Sequence, residues 1–173
     1  SNSKEENGFQ ILFNLFDHIY QTHNHTDDLC DMLSIFVGVL INCSELSNYA
    51  QQIMLQCTIN TPIMDQPNKL FSSIITKTVE TQHQTSIYWM AYMFRISYFR
   101  LQCYTEEEEE EEETTNTNND IMKQILSCRA IVSYLSVLLG IFIATEETIH
   151  QYISLLPDQN YKSILKLLQE FLM

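Results

Sequence analysis

Apolar residues recur along this chain at three- and four-residue spacing, a rhythm that predicts helices almost from end to end. Phe9, Leu12, Phe13, Phe16, Ile19 and Tyr20 mark a first helix over 8–20 with an aromatic face. Thr26 or Asp27 would cap a second, whose buried stripe runs through Leu29, Leu33, Phe36, Val37, Leu40 and Ile41. Ser47 would cap a third, with Tyr49, Ala50, Ile53, Met54 and Cys57 on one side. Residues 58–68 contain Pro62 and Pro67 and read as a loop. A fourth helix is expected over 69–82, through Leu70, Phe71, Ile74, Ile75 and Val79; its β-branched residues keep a strand as the alternative. The fifth, over 86–104, is apolar almost all round, with Arg95 and Arg100 as its only charges.

The pattern then breaks. Residues 105–119 form a charged, polar insert without apolar anchors, expected to be a disordered or loosely ordered surface loop. The other reading is a solvated continuation of the fifth helix, because Glu is a good helix former. Asp120 would cap a sixth helix, of which 129–142 is the central buried part. Thr145 offers a cap for a seventh, ended by Pro157. Asp158 would cap the last, with Tyr161, Ile164, Leu165, Leu168, Phe171 and Leu172 as its stripe.

Composition narrows this to one all-α domain over 1–173. With 3 Gly and 3 Pro there is little turn chemistry for a large antiparallel sheet. Eight helices in antiparallel neighbours fit a short HEAT- or armadillo-like α-solenoid best, with a closed helical bundle as the alternative. Gly38 and Gly140 sit inside apolar helical patterns and predict close helix–helix approach.

Charge changes the picture less than its total suggests. The formal net charge is −13, but 106–113 supply eight of the 22 acids, so the rest of the chain is only mildly acidic. No cluster of Lys and Arg suits duplex DNA, and direct nucleic-acid binding is not expected. The longest uncharged apolar run, 131–144, is short for a bilayer span, so no membrane association is expected. Five cysteines without a CxxC read as free thiols of a soluble intracellular protein.

Candidate chemistry is sparse. His18, His23, His25, Asp27, Asp28, Cys30 and Asp31 are metal-ligand types, but their spacing matches no standard zinc site. No phosphate loop, dinucleotide fingerprint, nucleophile elbow or zincin motif occurs. Catalytic, metal and cofactor residues are therefore none, and the chain reads as a non-enzymatic binding module.

Two stretches resemble one family. Ile131-Val132-Ser133-Tyr134-Leu135, Leu138-Leu139-Gly140, Leu156-Pro157-Asp158 and Leu165…Leu168…Glu170-Phe171-Leu172 look like the C-terminal end of the Wapl (wings apart-like) family. Leu33…Val37-Gly38-Val39-Leu40-Ile41-Asn42…Glu45 resembles an upstream helix of that family, in the expected order. The resemblance implies a helical-repeat fold and a nuclear cohesin-release factor, active in sister chromatid cohesion and the cell cycle. Its partners would be cohesin core or regulatory subunits, and its action the release of the ring from chromatin. The alternative is a generic HEAT- or armadillo-like adaptor for another protein or peptide.

For the contact site, the fifth helix holds more apolar surface than one core face needs. Tyr92, Arg95 and Tyr98 lie along one of its sides and are the expected protein-binding residues. The competing reading buries the two tyrosine rings and leaves Arg95 and Arg100 solvated.

Overall fold

The computed structural model describes residues 7–22, 27–62, 81–110, 117–145, 150, 152 and 154–172. Among these it is predominantly helical: α1 (Gly8–Thr22), α2 (Asp27–Leu46), α3 (Asn48–Gln56), α4 (Ser86–Glu110), α5 (Thr117–Thr145) and α6 (Lys162–Leu172). One antiparallel pair, β1 (Thr58–Pro62) and β2 (Thr81–Thr85), lies between α3 and α4.

Local chemistry sets several boundaries. The Asn7 side chain accepts from the Gln10 amide at 2.7 Å and opens α1. Ser47, extended at φ −159°, accepts from the Ala50 amide and caps α3 as the sequence predicts. Asp158 accepts from the Ser163 amide at 2.8 Å, and Asn160 from the Lys162 amide at 2.7 Å, so the expected acidic cap does hold the start of α6. Between them Gln159 takes φ 54°, which closes the turn after Pro157.

Over 58–62 the strand pair corrects the reading of 58–68 as a loop, with 63–68 outside the described residues, and Thr81 and Gln82 belong to a strand rather than to a helix end. The remainder of that expected fourth helix lies outside the described residues. β2 reads TQHQT and has no apolar residue, so it gives no periodic signal; β1 contributes Ile59, 2% exposed, to the core. The outer edge of β1 is covered from α1. The Gln10 side-chain amide donates to the Thr58 carbonyl at 2.8 Å and accepts from the Thr58 N–H at 3.0 Å, replacing a ladder partner.

Two further boundaries move. α4 runs on to Glu110 and α5 starts at Thr117, so both ends of the 105–119 insert are helical backbone and Asp120 lies within α5 instead of capping it. Residues 111–116 lie outside the described residues. α5 also continues through Gly140 to Thr145, which is therefore its last residue and not the cap of a seventh helix. Beyond it, His150, Tyr152, Ser154 and Leu155 are in 3-10 conformation, and 146–149, 151 and 153, which the expected seventh helix also spans, lie outside the described residues. The described residues thus hold six α-helices where eight were expected over the whole chain.

The core is one cluster. α5 packs against α2, α4 and α6, and Val132, Leu135, Leu138 and Phe142 are fully buried, as expected for 129–142. α5 is also long and apolar enough, over Met122–Ala144, to cross a membrane; here half of that stretch is buried inside the protein. At the other side, Phe13, Phe16 and Phe36 surround Trp89 with ring centroids 5.4–5.8 Å from it. Edge-to-face contacts of this kind add to the area that the rings bury.

Candidate functional site

α4 is the most thoroughly covered helix. Every residue from 89 to 97 is buried, because α5, α3 and the hairpin pack around it. This decides the fate of the expected contact residues. Tyr92 is 3% exposed and Arg95 6% exposed, so neither belongs to an open docking patch. Tyr98 is half-buried, stacked on Phe94 at 5.9 Å and edge-on to Phe99. The three do share a side of α4, but that side faces the protein.

Arg95 contradicts the solvated reading as well. Its Nη1 donates to the Leu155 carbonyl at 3.3 Å, and its guanidinium lies 5.6 Å from the centre of the Phe99 ring. Burial pulls its pKa down, since a desolvated cation is disfavoured. Arg95 thereby ties α4 to the segment that leads into α6. Sequence alone could have flagged it: one cation among apolar neighbours on every side needs an internal partner.

The remaining reactive types are held quiet. All five cysteines are free. Burial raises the Cys57 thiol pKa, partly offset by a hydrogen bond to Asn7. Burial, with a smaller push from Cys30 and a pull from Arg100, raises Cys128 to about 11. The thiolate is the nucleophile, so both are poor ones at neutral pH. His150 Nδ1 lies 2.6 Å from the Tyr161 hydroxyl, in an exposed pair that braces the turn before α6. Burial raises the pKa of Tyr161, which keeps the proton on its oxygen. Among the described residues no three His, Cys, Asp or Glu side chains gather as metal ligands; His23 and His25 lie outside them.

One cleft opens between α1, β1 and α4, over Trp89, Tyr92 and Met93. It has room for little more than a water molecule. On its rim Asn60 Nδ2 donates to Asp17 Oδ2 at 2.9 Å. A site of this size suits no drug-sized ligand.

The described residues also leave apolar surface exposed. Ile11 and Leu15 on α1, Ile35, Val39 and Leu46 on α2, Tyr49 on α3 and Met122 and Leu126 on α5 are large apolar side chains left exposed. Sequence reasoning placed Tyr49 and Leu165, which is also exposed, in core stripes and passed over the others, because it looked for one apolar stripe per helix. Compared with family models, with curated proteins and with solved structures, the chain matches none.

Proposed function

We propose that this chain is a non-enzymatic protein-binding domain of the cohesin-release kind, acting in the nucleus on cohesin core or regulatory subunits. The observation that carries the reading is the ordered resemblance to the Wapl family. Leu33, Val37 and Leu40 fall in α2, and Ile131, Val132, Leu135, Leu138 and Leu139 in α5. Leu156 and the α6 stripe follow. Of its apolar members, Leu33, Val37, Leu40, Ile131, Val132, Leu135, Leu138, Leu139 and Leu156 are buried, whereas Val39, Tyr134 and Leu165 are exposed. The resemblance therefore speaks for a shared scaffold, and the function follows from the family to which that scaffold points. The matching architecture is a short HEAT- or armadillo-like solenoid. Apolar side chains of α2 left exposed outside its buried face support stacking over a closed bundle.

The action is non-covalent. Tighter binding to an open state of the ring than to the closed one would shift the population toward release. The test is binding of the purified chain to cohesin's ATPase heads, its kleisin and its HEAT-repeat regulators, each offered separately. A stable complex with at least one is expected. Failure with all of them overturns the cohesin reading and leaves the general adaptor in its place.

A further inference from the structure

α2 is apolar over more of its circumference than its buried face occupies. Leu33, Phe36, Val37 and Leu40 enter the core. About 130° around the helix from them, Ile35 is 69% exposed, Val39 41% and Leu46 85%. At ~100° per residue these three fall within ~40° of one another, a stripe ~16 Å long. A helix whose apolar arc is wider than its buried face normally has further cover.

Gly38 adds an independent observation. It borders the stripe in mid-helix, where Gly costs stability, yet a Cβ built there would meet nothing within 4 Å. Among the described residues no other helix makes the expected close approach to it. The space above Gly38 is open to an incoming backbone. On the same edge of the stripe lie the exposed Asp31 and Glu45, ~21 Å apart along the axis. Across 8–56 the chain has five acids and no Lys or Arg.

We infer that the outer face of α2 is a docking surface for an amphipathic helix of a partner protein, with Lys or Arg along one edge of its apolar face. The partner's apolar side chains cover Ile35, Val39 and Leu46, and its backbone passes close at Gly38. Its cations, about four turns apart, meet Asp31 and Glu45. Charge selects against a second copy of this chain as the occupant. Residues 8–56 of each copy hold five acids and no Lys or Arg, and the stripe would meet its own acidic edge. The inference rests on the reading as a protein-binding module and does not depend on cohesin being the partner.

The test uses two labelled synthetic helical peptides of ~16 residues with the same Leu face, one flanked by Lys and one by Glu. Each is titrated against the full chain by fluorescence anisotropy at ~0.15 M salt, where long-range attraction to exposed acids is screened. The Lys-flanked peptide is expected to bind at least ~10-fold more tightly than the Glu-flanked one. Ile35→Ser with Leu46→Ser should weaken it by ~10-fold or more, with unchanged circular dichroism. Asp31→Lys with Glu45→Lys should reverse the preference between the peptides. Ile11→Ser with Leu15→Ser, on the exposed face of α1, should leave both affinities as they were. Binding that survives the double serine change on α2 overturns the assignment and moves the contact to another acidic surface. A self-associated species in sedimentation, lost on the same change, would make a second copy the occupant and also overturn it. Either outcome is independent of the cohesin binding test.

Discussion

α2 and α4 are both apolar on more sides than one core face requires, but they resolve that surplus in opposite ways. In α4 the residues 89–97 are buried without a break, and even the cation Arg95 is drawn inside to the Leu155 carbonyl. In α2 the core takes Val37 and Leu40, while Ile35 and Leu46 stay in solvent. Apolar excess is therefore not by itself a docking signal. It becomes one only where the rest of the chain leaves it uncovered, and that depends on tertiary placement.

The contrast can be broken most severely at Trp89. Three phenylalanine rings pack around it, so Trp89→Ala should remove the aromatic cluster and destabilise the fold by ~3–5 kcal/mol. Chemical denaturation followed by far-ultraviolet circular dichroism measures this. Gly140 gives the next largest effect. A Cβ there would lie 3.4 Å from Leu168 Cδ1, an ordinary contact across the α5–α6 packing. Gly140→Leu pushes further into α6 and should cost ~1–3 kcal/mol in the same assay. Ser47→Ala removes the acceptor for the Ala50 amide at the corner between α2 and α3, and a loss of ~1 kcal/mol is expected. Gly38 runs the other way. With open space around it, Gly38→Ala should raise stability by ~0.5–1 kcal/mol, seen as a higher melting temperature.

Much of the fold was legible because periodicity reports burial along one helix at a time. The stripes of α1, α2 and α5, the Ser47 cap and the Asp158 contribution to α6 all follow from residues close in sequence. The hairpin was not legible, since β2 has no apolar residue and exists through its pairing with β1 and the Gln10 clamp on Thr58. The extension of α4 to Glu110 was the lesser reading, because charge repulsion was weighted above the helix propensity of Glu. The expected contact residues are a different case. Tyr92, Arg95 and Tyr98 were placed on one side of a helix correctly, but spacing cannot tell whether another helix covers that side. The same gap hid the α2 stripe, where one helix has a wide apolar arc and only part of it is covered.

The most direct test sets the two faces of α2 against each other. Ile35→Ser with Leu46→Ser changes the outward face, and Val37→Ser with Leu40→Ser changes two fully buried positions of the inward face. Equilibrium urea unfolding of both variants beside the unaltered chain gives the answer. The outward pair should shift stability by no more than ~0.5 kcal/mol per substitution, as surface changes do. The inward pair should cost several kcal/mol or prevent folding. An outward pair that destabilises as much as the inward pair would mean that the chain itself buries Ile35 and Leu46, and would contradict the account of α2 as a face kept free for a partner.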